Sequence, residues 1–162
     1  MNKAHLHMVF NHFPIIGLFF GIGILLYGIV KKQTILTNTA YVIFIICMIM
    51  GKVTMMTGEG AEEIVEKLGI SHHMIHEHEE IAETFMKVLY LLGLTSIVGL
   101  FANAKKHAKA HFVTYFAIVV AIGAAILSKS VGTSGGEIRH TEIRENVAND
   151  GININHEAID ED

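Results

Sequence analysis

The chain has 162 residues, of which 51% are hydrophobic and 17% charged, with a formal net charge of −4 and a mean hydropathy of +0.45. That is room for one unit, and it is too apolar for an ordinary soluble domain. A single cysteine, Cys47, excludes an internal disulfide framework and a thiolate metal site, and an acidic outer side with a basic balance only in the short membrane-adjacent loops leaves nucleic acid outside the expected partners.

Four apolar stretches reach the roughly 20 residues that a helix needs to cross a bilayer. The first covers about 13–30 and is closed by Lys31 and Lys32; the second covers about 35–57, interrupted by Lys52; the third covers about 81–104; the fourth covers about 112–131. The start of the chain is His-rich and leads into a full-length apolar run, so no cleaved signal is expected. Between the second and third spans, Gly58-Glu59-Gly60-Ala61-Glu62-Glu63 and the residues to Gly69 read as a short surface helix, with Ser71 as the cap of the next helix. Residues 137–162 read as a polar, acidic tail beyond a membrane domain of residues 1–136. The fold class is therefore all-α: an integral-membrane, up-down four-helix bundle with a short outer-face helix and an acidic C-terminal tail.

Orientation follows from the lysines, because positive charge in short loops stays on the cytoplasmic side. Lys31 and Lys32 occupy the first connection, and Lys105, Lys106 and Lys109 the third; every Asp and Glu lies within 59–83 or 137–162. Both termini are then expected outside, on the periplasmic face of a bacterial inner membrane.

Histidine is over-represented, with eleven residues. His107 and His111 sit among loop lysines and read as interfacial. The other nine fall on the outer side. At spacings of three and four, His78 shares a face with Ile75, Ile81, Ala82, Phe85, Leu89 and Leu92, which is an apolar face. An imidazole there is costly unless it is used, so His78 leads the candidate ligands. His72, His76, Glu79, Glu83 and Lys87 form a polar stripe beside it, either a solvated helix end or part of a carboxylate and imidazole site.

His12 precedes Phe13-Pro14-Ile15-Ile16, with Pro14 placed for a first helical turn. His140 follows Gly135-Gly136-Glu137-Ile138-Arg139, where the glycines allow a sharp turn folding His140 over the bundle mouth. The first and third spans are diagonal in an up-down bundle, so His12 and His78 are expected as axial ligands of haem b, with His140 as a further ligand. Gly17, Gly21, Gly23, Gly93, Ser96 and Gly99 would make room for the macrocycle, or else allow close helix packing. Lys52, Lys87 and Lys129, near the outer ends of three spans, are placed to pair with Glu59, Glu62 or Glu83 or else with haem propionates, and Lys52 and Arg139 count among the expected cofactor-binding residues. The alternative is a divalent metal held by His12, His78, His140, Glu59, Glu62 and Glu79, or copper, given the methionines Met48, Met50, Met55 and Met56.

Four segments, Asn11-His12-Phe13-Pro14-Ile15, Thr57-Gly58-Glu59-Gly60-Ala61-Glu62-Glu63, His78-Glu79-Glu80-Ile81-Ala82 and Gly135-Gly136-Glu137-Ile138-Arg139-His140-Thr141-Glu142-Ile143, occur in this order. In them the chain resembles a family of small bacterial membrane proteins marked by His-Phe-Pro-Ile at the first span. The resemblance implies the four-span fold, marks His12, His78 and His140 with Glu59 and Glu62, and carries no activity with it. His5, His7 and His73 fall outside its pattern.

The function expected on these grounds is a haem-binding membrane redox protein resembling a small b-type cytochrome, an electron carrier rather than a stand-alone enzyme. The runner-up is a divalent-metal-binding or metal-handling membrane protein, and a third reading is an accessory subunit of a larger complex. Expected partners are the lipid bilayer, a respiratory or other redox complex, and further copies of the same chain.

Overall fold

A computed structural model describes residues 2–140 and 143, apart from the side chains of Glu63 and Arg139. Among the described residues there are helices and connecting turns and no strand: α1 (Lys3–Phe10), α2 (His12–Lys31), α3 (Thr34–Lys67), α4 (His72–Ala104) and α5 (Ala110–Arg139). Four helical segments are long and apolar enough to cross a membrane, with α1 and α2 together making the first. By length and composition the chain is thus a multi-pass membrane protein.

α1 starts at Asn2, whose side-chain oxygen accepts the His5 N–H at 2.9 Å. It stops at Phe10 because Pro14 has no N–H for the Phe10 carbonyl and its ring crowds that oxygen. Asn11 keeps helical angles (φ −62°, ψ −25°), so α1 leads into α2 without a loop.

At 1.5 Å per residue, the 34 residues of α3 reach about 51 Å, against a hydrocarbon core of about 30 Å. α4, with 33 residues, has the same surplus. The apolar parts cover the core, and the polar ends of α3 and α4, together with α1 and the end of α5, extend beyond it. This histidine-rich end lies opposite a lysine-rich end formed by the connections at 32–33 and 105–109.

Three expectations are corrected here. The separate surface helix after residue 57 does not exist: α3 runs unbroken to Lys67, because Glu, Ala, Val and Ile propagate a helix and two glycines cost only about 1 kcal/mol each. Ser71 occupies the N-cap of α4 but makes no capping bond with its side chain. α5 passes straight through Gly135 and Gly136, since no proline or positive φ is required there, and ends at Arg139 with His140 extended and exposed. Apart from Ile143, the expected tail beyond His140 lies outside the described residues.

Each long helix packs on its neighbour in sequence, α2 also meets α5, and α1 lies on α3. The core holds Leu18, Leu25, Tyr41, Phe44, Cys47, Phe85, Leu89 and Leu92. α3 supplies its larger members, which seat in glycine clefts of the flanking helices. A methyl group on Gly17 would stand 2.6 Å from Cys47 Sγ; on Gly21, Gly93 or Gly99 it would collide with Phe44, Met48 or Tyr41. Of the small residues expected to make room for a macrocycle, Gly17, Gly21, Gly93 and Gly99 are thus filled by side chains of α3 and serve close packing, while Gly23 faces open space. Gly99 also lets Tyr41 pass α4 and donate to Thr114 Oγ1 at 2.9 Å, joining α3 to α5. Phe20, Val30, Leu94, Phe101, Val119 and Ile126 point outward, an apolar surface suited to lipid.

Candidate metal centre at the histidine-rich end

His12 is exposed. Its Nδ1 bonds the Met8 carbonyl at 3.2 Å, and the side chain borders an apolar groove between α2 and α3 with Phe13, Ile43, Cys47 and Met50. His78 lies instead at the seam of α4 and α5, half-buried, with Nδ1 2.8 Å from Ser134 Oγ. His140 is exposed just past α5. His12 and His78, expected as opposite axial ligands, thus border different pairs of helices, α2 with α3 and α4 with α5. Lys52 and Glu59 are exposed on α3, and the Arg139 side chain lies outside the described residues.

Two other groupings form. The first joins the end of α3 to the start of α4. Glu62 and Glu66 are one turn apart on α3, and the tight turn at 68–71, with Gly69 at φ 85°, brings His72 back against them. Only glycine takes that backbone shape without strain. His72 Nδ1 lies 2.9 Å from Glu66 Oε1 and 4.0 Å from Glu62 Oε1, and one ligand atom from each of the three residues falls within 4.8 Å of the others. His76 stacks on His72 and reaches Glu80 at 3.5 Å. Glu79 is half-buried next to this group; partial burial and the neighbouring Glu62 carboxylate push its carboxyl above the usual value, against the pull of His76 and His72.

The second grouping lies nearer the bundle. His7, on α1, sits against Gly58 of α3, where an added methyl would stand 3.3 Å from His7 Cε1. Its Nδ1 lies 3.1 Å from the Thr54 carbonyl and 3.5 Å from Thr57 Oγ1. His78 sits against Gly135 of α5 in the same manner, 3.1 Å from an added methyl. Both imidazoles lie beyond the apolar stretches that cross the bilayer. Burial holds His7 below the ordinary histidine value, opposed by its bond to Thr54. Burial lowers His78 as well, and charge on His7 lowers it further.

His7, Glu66 and Ser134 were not among the residues singled out as ligands from sequence, and His72 was read only within the polar stripe that could join a carboxylate and imidazole site. For His7 a signal existed: His7, Asn11, Pro14 and Leu18 follow one another at helical spacing, and Pro14 and Leu18 are buried. Glu62 and Glu66 likewise share a face, but His72 joins them only through the turn. No family model, curated protein or solved structure matches the chain.

Proposed function

We propose that this chain is a divalent transition-metal-binding protein of a bacterial inner membrane, an up-down bundle of four crossing helices with its histidine-rich end and both termini outside. The observation that carries the metal reading is the convergence of Glu62, Glu66 and His72. Around an ion bound at about 2.0–2.2 Å, tetrahedral ligand atoms stand roughly 3.4 Å apart. The separations of 2.9 and 4.0 Å about His72 Nδ1 bracket that value, so small rotations close the site. One imidazole with two carboxylates suits zinc, manganese, iron or nickel better than calcium, which takes oxygen alone, or Cu(I), which favours sulfur. The outside placement rests on the five lysines of the first and third connections.

Two observations weigh a bare ion above haem on the ligands first expected. His12 stands apart from His78, and Tyr41, Phe44, Cys47 and Met48 fill the glycine clefts.

Zinc titration of the purified full chain against a chromophoric chelator, with elemental analysis, tests the reading. Glu62→Gln, Glu66→Gln and His72→Ala should each weaken the site by at least about tenfold, while exposed His73→Ala leaves it unchanged. Equal zinc content and affinity in all four variants, or porphyrin absorbance with no bound metal ion, would overturn it.

A further inference from the structure

We propose that the lysine-rich end of the bundle binds the phosphate headgroup of one anionic phospholipid, in a cleft whose cation is Lys32. The site is independent of the metal centre at the other end and needs only that the helices cross a bilayer.

The sequence has no Asp or Glu before Glu59 or between Glu83 and Glu137, so Lys31, Lys32, Lys105, Lys106 and Lys109 carry their charge without acidic neighbours in the chain. Packing gives this charge a concave surface. A cleft of about 380 Å³ opens where the end of α2, the start of α3, the end of α4 and the start of α5 come together. Thr37 and Thr114 lie on its buried floor, while Lys32, Thr34, His111 and Tyr115 form an exposed rim. The lining is thus a lysine with hydroxyls on one side and an aromatic ring on the other. α3 begins at this cleft with no side-chain cap from Gln33, and the N–H groups of an uncapped first turn add to the preference for an anion.

Lys32 is set apart from the other lysines in two ways. Lys31 lies 5.8 Å over the Tyr27 ring and Lys105 5.6 Å over the Phe101 ring, so both run along the outer, lipid-facing surface. Lys32 lines the cleft instead. Its backbone is left-handed, with φ 52° and ψ 39°, at the helix end where glycine is usual and a side chain is a strain. The bonds that close α2 there, Lys32 N–H to the Ile29 carbonyl at 3.2 Å and Gln33 N–H to the Gly28 carbonyl at 2.9 Å, are made by the backbone alone. Glycine would make them with less strain, and what lysine adds is its ammonium group. Lys106 takes the same backbone shape, φ 49°, in the other connection at this end, but does not line the cleft.

The position of the cleft argues for a lipid over a free anion. The crossing segments end at Lys31 and Ala104 and begin at Thr34 and Ala110, so the cleft stands at the level where headgroups lie. Val30, Ile35 and Phe112, next to its rim residues in the chain, are exposed. A phosphate held by Lys32 would let its acyl chains run along a surface already suited to hydrocarbon. Basic pockets between transmembrane helices take anionic headgroups in this manner.

Native mass spectrometry tests the proposal, using the full chain stripped of lipid in detergent and titrated with phosphatidylglycerol or with phosphatidylcholine of the same acyl chains. One phosphatidylglycerol should bind in preference to phosphatidylcholine, and Lys32→Gly should weaken it about fivefold, the worth of one cation beside an anionic headgroup. Lys106→Gly removes the same charge from the same end and relieves the same backbone shape, yet should leave binding unchanged. Lys32→Arg, which keeps the charge, should bind as the unmodified chain does. Because glycine suits φ 52°, the melting temperature of lipid-free Lys32→Gly should be unchanged or raised, which separates lost binding from damage to the fold. Equal losses in the two glycine variants would reduce the effect to the overall charge of this end. That result, a lack of preference over phosphatidylcholine, or displacement of the lipid by inorganic phosphate at equal concentration would overturn the proposal.

Discussion

His78 Nδ1 lies 2.8 Å from Ser134 Oγ, and this contact ties the outer part of α4 to the outer part of α5. An imidazole beside it is held in one orientation, and the seam is closed by a polar bond where lipid no longer covers the helices. Removing the hydroxyl leaves a half-buried ring nitrogen without this partner.

Ser134→Ala should therefore lower stability by about 1 kcal/mol, the usual net worth of such a bond. Thermal unfolding of the metal-free protein in detergent measures it. Because Gly135 leaves the ring little freedom of approach, Gly135→Ala should destabilise more than the alanine substitution at 134 does.

Acidification should destabilise the metal-free protein through His7 and His78. Both folded-state values lie below 6.5, so the unfolded chain binds these protons more readily. Stability is then complete above about pH 6.5 and falls as pH drops below it, toward the lowered values. In a series of melts from pH 8 to pH 5, the double variant His7→Gln with His78→Gln should show a shallower decline than the unmodified chain. Parallel declines would remove the pair as a source.

The glycine clefts predict a graded response to alanine. Gly21→Ala drives a methyl into the Phe44 ring and should cost about 1–3 kcal/mol. Gly93→Ala meets Met48 down to its Cβ, 2.8 Å away, which no rotamer change relieves, and should cost a comparable amount. Gly23 faces open space, so Gly23→Ala should be neutral or stabilising through helix propensity. Thermal stability of the three variants in one detergent ranks them.

Tyr41 and Thr114 should show a measurable coupling across the bundle. Their bond joins α3 to α5 in the lysine-rich half, and interhelical hydrogen bonds in membranes average about 0.6 kcal/mol. A double-mutant cycle with Tyr41→Phe and Thr114→Val checks the sign and size.

For orientation, reporters fused at Met1 and Asp162 should both be active outside the cytoplasmic membrane. A single cysteine introduced at Lys106, in a background with Cys47→Ser, should be shielded from an impermeant thiol reagent in intact cells. Labelling there without permeabilisation would reverse the arrangement derived from the loop lysines.

The crossing segments were legible in the residues because bilayer thickness imposes one simple demand on each: about 20 apolar residues in succession. The inward face of α4 was legible for a similar reason, since helical periodicity alone puts His78 in line with Phe85, Leu89 and Leu92, which are buried. Periodicity does not say how far a helix continues into water, or what it meets there. Gly58 and Gly60 read as the end of the second span, yet α3 carries on to Lys67, and only that continuation sets Glu62 and Glu66 opposite His72. His12 precedes Pro14 so closely that it looked like the natural ligand, whereas it is exposed and His7, earlier on α1, is the half-buried one. The half-burial of His7 depends on α1 resting against α3, with the imidazole over Gly58 and the Lys3 stem over Gly60. That is a long-range contact between residues more than fifty apart, and no local pattern of one helix contains it. Composition and spacing determined how many helices are long and apolar enough to cross and which end gathers most of the histidines and carboxylates; the packing of α1 on α3 and the turn at Gly69 decided which of them come together, because both depend on backbone geometry that several local sequences would equally permit.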